Sequence, residues 1–169
     1  MRQAILPGRP CFLKRRRGEP RRRNQNLESI APAQIAESWD NVGVLVRCAQ
    51  EVTGVLCALD ITPATVREAR AVGCNAIVSH HPVIFRPLKE LRQDDVPALL
   101  VREGVSAVCM HTNLDKAQGG VNDVLAQALG LRDTEPFAGG IGRVGALPET
   151  MEAVAFAQFV GKALAAPVK

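Results

Sequence analysis

Short apolar runs alternate with stretches of helical character from Leu27 to the end of the chain. Five apolar runs predict β-strands, at residues 42–46, 54–59, 76–79, 105–110 and 142–147. Helices are predicted around them, and these span residues 27–38, 64–72, 97–103, 121–129 and 150–164. Thr62 and Pro63 are typical of a helix start, because threonine caps the first turn and proline suits its first position.

Short strands that alternate with longer helices are typical of βαβ units, so the sequence predicts an α/β fold with a mainly parallel sheet. The three inner strands are apolar throughout, as expected where helices cover both faces of a sheet. A further strand would follow the last helix in such a fold, and the sequence reaches Lys169 before one. The sheet is therefore expected to be incomplete at its C-terminal end.

Positive charge is concentrated at the N-terminus. Residues 1–23 contain nine basic residues and one acidic residue, whereas the remaining chain contains twelve basic and sixteen acidic residues. We therefore expect residues 1–26 to form a disordered basic extension, with a phosphate-binding arm as the alternative, and residues 27–169 to form the domain. Because the domain is mildly acidic, nucleic acid is not an expected partner.

Composition excludes several classes of protein. The chain is 47% hydrophobic and 22% charged, which is typical of a globular domain. No apolar run approaches the roughly 18 residues of a membrane-spanning helix, so an integral membrane protein is not expected. The five cysteines include no C-x-x-C pair, which favours a reducing cytoplasm over a disulfide framework.

The candidate chemistry follows the inner strands. Asp60 comes directly after the strand at 54–59, His80 and His81 follow the strand at 76–79, and His111 follows the strand at 105–110. These are all the histidines of the chain. Because ligands of such sheets bind beyond the carboxyl ends of the strands, the residues are expected to meet at one site.

A site with two metal ions explains the paired histidines. Pro82 favours an extended His81, and neighbouring side chains of an extended chain point to opposite sides, so each ring would bind its own ion unless the chain bends. Two adjacent ions need a bridging carboxylate, for which Asp115 is the first candidate. Asp60 is the second candidate, or an acceptor that orients an imidazole. Mixed histidine and carboxylate ligands suit Zn²⁺, Mn²⁺, Fe²⁺ or Ni²⁺.

Other interpretations stay open at these positions. The paired histidines could simply cap strand ends through hydrogen bonds to the backbone, with Asp115 stabilising a loop. His111 could be a ligand, a proton shuttle or a support for another ligand. Asp40 could support the site or belong to a turn. There is no G-x-G-x-x-G, no phosphate-binding lysine loop and no nucleophile elbow, and no residue stands out as a stacking surface for a purine.

Three motifs resemble those of the YbgI-like dinuclear metal-centre proteins, many of which carry the label GTP cyclohydrolase I type 2. They are Ala36-Glu37-Ser38-Trp39-Asp40-Asn41-Val42-Gly43, Ser79-His80-His81-Pro82 followed by Phe85, and His111-Thr112-Asn113-Leu114-Asp115 followed by Gly119-Gly120-Val121-Asn122-Asp123. They occur in the family's order from about Leu27 onward.

The resemblance implies a three-layer α/β/α fold, two divalent metal ions in a cleft and a ring-shaped homohexamer. His80 and His81 would each bind one ion, Asp115 would bridge, and His111 would line the cleft. The implied activity is metal-dependent hydrolysis of a nucleotide such as GTP, with a non-catalytic metal-binding or interaction module as the alternative. The family completes its site with a later histidine and glutamate, and this sequence has no histidine after His111.

Overall fold

A computed structural model of the chain describes residues 12–13 and 27–167. The chain divides into two units, residues 1–114 and residues 115–169. The first unit contains the main sheet, and the second contains a β-hairpin with two helices.

The first unit is built on a five-stranded sheet in the order β1-β3-β4-β5-β2. The strands are β1 Phe12–Leu13, β2 Gly43–Val46, β3 Val55–Ala58, β4 Ala76–Ser79 and β5 Ser106–Cys109. The three central strands are parallel to one another, and an antiparallel strand lies at each edge. This arrangement confirms the predicted α/β class, and β2 to β5 fall within the predicted apolar runs.

The helices that accompany this sheet are α1 Leu27–Ile30, α2 Pro63–Ala71, α3 Val96–Glu103 and α4 Thr112–Lys116. The predicted start of α2 is confirmed, since the Thr62 hydroxyl accepts a hydrogen bond from the Thr65 amide at 3.1 Å. The predicted helix at 27–38 is wrong beyond Ile30. Pro32 has an extended backbone, and the residue before a proline is disfavoured in a helix, so α1 ends there.

The core of the first unit lies against α2 and α3. Leu56 and Ile77 of the sheet, Val66 of α2 and Leu100 of α3 have at most 1% of their surface exposed, and they belong to one buried cluster. Burying each such side chain stabilises the fold by about 1.5–3 kcal/mol. This packing holds the central strands in register, and their carboxyl ends therefore form a fixed edge.

The second unit contains α5 Val121–Ala128, β6 Arg132–Phe137, β7 Gly142–Ala146 and α6 Ala153–Leu164. Strands β6 and β7 form a separate antiparallel sheet. The predicted strand at 142–147 is therefore present but does not join the main sheet. Its partner β6 escaped prediction because all of its residues are exposed and it lacks an apolar run. Helix α6 starts after Glu152 rather than at Thr150.

Arg143 connects several segments of the second unit. Its side chain is 9% exposed, and its Nε donates a hydrogen bond to Asp123. Its two terminal nitrogens donate to backbone carbonyls at Gly140, Gly142, Lys116 and Ala117. The guanidinium thus has acceptors on every side, which only arginine can use at once.

The free energy of unfolding is expected to depend on pH through Asp123. Hydrogen bonds from Arg143 and then from the Gly119 amide hold the pKa of this carboxyl below its ordinary value. A lowered folded-state pKa gives a stabilisation that is complete above about pH 4 and is lost as the pH falls through the folded-state pKa. Urea unfolding of Asp123→Asn should therefore show a deficit at neutral pH that shrinks near pH 3. The exposed Glu135→Gln on β6 is the control, and an equal deficit at both pH values would contradict the prediction.

The predicted disordered extension at residues 1–26 lies outside the described residues, apart from Phe12 and Leu13. For Phe12 and Leu13 the prediction is wrong, because they pair with Leu56 and Val55. Their backbone supplies hydrogen bonds to the otherwise open edge of β3. Among the described residues, no helix is both long and apolar enough to cross a membrane.

Candidate metal centre

The three histidines meet at the carboxyl edge of the main sheet. His80 and His81 directly follow β4, and His111 follows β5 after a single residue. Their potential ligand nitrogens all lie within 4.8 Å of one another. The ring centroid of His80 is 5.2 Å from that of His81 and 5.2 Å from that of His111. The predicted meeting of the strand ends therefore places all three imidazoles in one cluster, which we call the histidine cluster.

The chain bends at His80 and His81 instead of continuing in an extended conformation. The Ser79 hydroxyl donates a hydrogen bond to the His81 carbonyl at 2.8 Å, and the Cys109 thiol lies 3.2 Å from the His80 carbonyl. These contacts are consistent with the turned backbone, and both rings lie on the side of His111. The expectation that the paired rings point to opposite sides is wrong for this reason.

Each histidine of the cluster has its Nδ1 beside an oxygen that accepts hydrogen bonds. His80 Nδ1 lies 3.1 Å from the Met110 carbonyl, and His81 Nδ1 lies 2.7 Å from Asp60 Oδ1. His111 Nδ1 lies 2.9 Å from Asp40 Oδ1. A carbonyl or ionised carboxylate only accepts, so Nδ1 is the donor in each of these pairs, and Nε2 is the nitrogen that would bind a metal when the ring is neutral. Neutral imidazoles in this tautomer are ligands for divalent metals.

The Asp40 carboxylate is fixed by several hydrogen bonds. Its side chain is completely buried, with 0% exposed, and it accepts hydrogen bonds from His111 and from both the amide and the hydroxyl of Thr112. Burial alone would raise the pKa of Asp40, but the hydrogen bonds from Thr112 and His111 lower it below its ordinary value. Asp40 is therefore an anion at neutral pH and orients the His111 ring.

The cluster fits a metal ion by the chemistry of its donors. Zinc–nitrogen bonds are about 2.0–2.1 Å long, so two nitrogens on one ion are separated by roughly 4 Å or less. A cluster within 4.8 Å is compatible with one shared ion after a small closure, or with neighbouring ions that each take one or two rings. The carboxylates behind His81 and His111 are the usual supports of metal-bound imidazoles.

The other predicted residues have the following places. Asp60 lies at the end of β3 and contacts His81. Asp115 lies in α4, at the start of the second unit, and its bridging role stays a prediction.

Burial, together with the charge of Asp40, raises the pKa of the Cys109 thiol to about 12, which leaves it protonated and unsuited to act as a nucleophile.

Two aromatic residues beside the cluster were not predicted as part of the site. The centroids of the Trp39 and Phe85 rings lie 6.4 Å and 6.5 Å from that of His111. No residue for stacking a purine was expected from the sequence, and these contacts place two aromatic rings beside the cluster. Both residues belong to motifs that carried the family resemblance, but they are far apart along the chain and no strand end brings them together.

The sequence model of Duf34/NIF3 (NGG1p interacting factor 3) matches residues 21–169. The chain belongs to the Duf34/NIF3 family. The resemblance indicated by the three motifs is thereby confirmed.

Curated relatives of this Duf34/NIF3 chain are longer than it is. A Staphylococcus aureus (strain MRSA252) protein named GTP cyclohydrolase 1 type 2 homolog is 44% identical over 111 residues, which are 63% of this chain and 30% of that protein. A Lactococcus lactis protein (strain IL1403) of the same name is 42% identical over 125 residues, which are 70% of this chain and 49% of that protein. The chain thus covers less than half of either relative.

A solved structure supports the fold of this Duf34/NIF3 chain. The crystal structure of Staphylococcus aureus hypothetical protein SA1388 is similar with a TM-score of 0.70 and 29% sequence identity. The similarity covers 82% of this chain and 62% of that one.

Proposed function

We propose that this Duf34/NIF3 protein binds divalent metal ions at the histidine cluster and catalyses a metal-dependent hydrolysis. The observation that carries the proposal is the convergence of His80, His81 and His111. Each ring has its Nδ1 against an acceptor, and one potential ligand nitrogen of each ring lies within 4.8 Å of those of the other two. Rings that merely capped strand ends would have no reason to converge in this way.

Each residue of the proposed site has a different role. His80 and His81 hold metal, and Asp60 keeps the His81 ring in place. His111 lines the cleft, where its Nε2 can take up a proton while Asp40 stabilises the resulting imidazolium. Asp40 is buried and His111 is only 20% exposed, so this pair is held more rigidly than a surface ion pair. Bound ions supply Lewis-acid chemistry, because they lower the pKa of water and polarise the bond that is cleaved.

The names of the relatives suggest the substrate class. Proteins named GTP cyclohydrolase 1 type 2 homolog align with the part of the chain that contains the cluster, so a nucleotide such as GTP is the first substrate to test. Hydrolytic ring opening would add water at a ring carbon. Assembly into a hexamer, which the family resemblance implies, and a cytoplasmic location stay predictions.

A metal-binding module without turnover is the second candidate. It is favoured by the composition of the cluster, since the group of potential ligands found among the described residues contains histidines only. A cluster of this kind can bind an ion tightly enough to brace a fold without acting on a substrate.

Metal content and turnover distinguish these candidates. We expect purified protein to retain divalent metal in elemental analysis, with two ions per chain if the predicted bridge by Asp115 is present. Asp115→Asn should then lower the ion count, whereas the exposed Asp94→Asn should not. Hydrolysis of nucleotides and phosphoesters with Zn²⁺, Mn²⁺, Fe²⁺ or Ni²⁺ should exceed the rate of the ions alone. Retained metal without turnover would support the second candidate, and absence of metal affinity would contradict both.

A further inference from the structure

Trp39 and Phe85 present large aromatic surfaces to solvent beside the histidine cluster. Trp39 is 58% exposed and Phe85 is 45% exposed. Aromatic side chains of this size are usually buried, because each contributes much of the apolar area that folding removes from water. Their exposure at the edge of a candidate site is therefore a feature that packing of the fold does not explain.

The two rings and His111 form a contiguous aromatic group. The centroids of Trp39 and Phe85 are 6.1 Å apart, and their planes meet at 66°. Each ring also contacts His111 edge to face, at interplanar angles of 77° and 86°. We call the pair of exposed rings, Trp39 and Phe85, the corner. His111 connects the corner to the other two histidines, since its ring centroid lies 5.2 Å from that of His80 and 5.9 Å from that of His81.

Hydrogen bonds from the intervening residues hold the corner in place. Trp39 lies in a turn that is closed by a bond of 3.0 Å from the Asp40 amide to the Glu37 carbonyl. Asp40 is anchored below it by His111 and Thr112. The Asn41 side-chain amide donates to the Ile84 carbonyl at 2.6 Å, which fixes the loop that carries Phe85. A surface held in this way loses little conformational entropy when a ligand binds.

We propose that Trp39 and Phe85 bind the flat aromatic ring of a small-molecule ligand whose polar part extends to the histidine cluster. The ring stacks on one aromatic face and packs against the other, so these two residues select ligands with a planar heteroaromatic group. Loss of one such stacking contact is expected to weaken binding by about tenfold or more. The inference rests on the proposed function for the placement of the polar part only. Stacking itself needs no metal.

The chain offers a direct probe of this contact. Trp39 is its single tryptophan and it has no tyrosine, so tryptophan fluorescence reports on the corner alone. We expect guanosine 5′-monophosphate to quench this fluorescence in both chelator-treated and metal-loaded protein, with tighter binding after metal loading. Ribose 5-phosphate, which lacks the ring, should leave the fluorescence of the chelator-treated protein unchanged.

Variants separate stacking from the other causes of quenching. Phe85→Leu should weaken binding of guanosine 5′-monophosphate about tenfold, whereas Phe137→Leu, at an exposed phenylalanine of β6, should leave it unchanged. By calorimetry, Trp39→Phe should retain binding and Trp39→Leu should lose it. Circular dichroism checks that each variant is folded.

Several results would overturn the inference. Equal affinity for ribose 5-phosphate and the nucleotide in chelator-treated protein would show that the ring is not recognised. If Phe85→Leu binds the nucleotide as tightly as the Phe137→Leu control, then Phe85 does not contribute to binding of the ring. Fluorescence that changes with protein concentration and not with ligand would show that a second copy of the chain covers the corner. Quenching in chelator-treated protein that has no metal affinity would support stacking on Trp39 and Phe85 and contradict the proposed function.

Discussion

Replacing Asp40 with alanine is expected to lower the free energy of unfolding by about 3 kcal/mol. The substitution removes a completely buried carboxylate and leaves the His111 Nδ1, the Thr112 amide and the Thr112 hydroxyl without their acceptor. Buried donors that lose a partner cost about 1–3 kcal/mol each, part of which relaxation recovers. Because the His111 ring also loses the acceptor that orients it, metal-dependent hydrolysis should fall by roughly tenfold to a hundredfold.

Urea unfolding and an assay of metal-dependent hydrolysis measure these two effects of Asp40→Ala on the same protein. The exposed Asp94→Ala, in the loop before α3, is the matched control and should change neither quantity. Asp40→Asn should fall between the wild type and the alanine variant, because its amide retains one acceptor oxygen. Wild-type stability in Asp40→Ala would show that the buried hydrogen-bond network does not hold the site.

Replacing His81 with alanine is expected to produce the opposite pattern, a large loss of metal affinity with little change in stability. The His81 side chain is 47% exposed, and substitutions at such surface positions usually change the free energy of unfolding by less than about 0.5 kcal/mol. Its Nε2 is nevertheless one of the few nitrogens of the cluster, so metal affinity should fall by on the order of a hundredfold or more. Metal-dependent hydrolysis should fall in parallel.

Asp60→Asn is the graded comparison for His81→Ala. The amide can still face His81 but carries no charge, so metal affinity should fall by about tenfold only. If His81→Ala retains wild-type metal content in elemental analysis, then His81 is not a ligand and the proposed centre is wrong.

Apolar pattern was sufficient to predict the main sheet but not the second unit. Strands β3, β4 and β5 are short apolar segments that end at polar residues, and this pattern leaves little choice other than buried parallel strands. Strand β6 is exposed along its length, so no hydrophobic signal marks it. It forms because β7 supplies a hydrogen-bonding partner, and that pairing is a tertiary event.

The candidate site was predicted in part for a similar reason. Positions at the ends of parallel strands become neighbours in any such sheet, so the sequence was sufficient to predict that His80, His81 and His111 lie close together. The bend at His81 could not be foreseen, because Pro82 alone favours an extended chain. The Ser79 hydroxyl and the backbone contacts with β3 accompany that bend in the structure.

The sequence by itself determined the α/β class, the order of the central strands along the chain and the place where the histidines gather. These properties depend on local hydrophobic pattern and on the common direction of parallel strands. Only the tertiary structure decided which oxygen each Nδ1 of the three rings faces, that Asp40 lies against His111, and that Trp39 and Phe85 are neighbours. Those contacts join residues that are distant in the chain, and their energies exist only once the core has packed and excluded water.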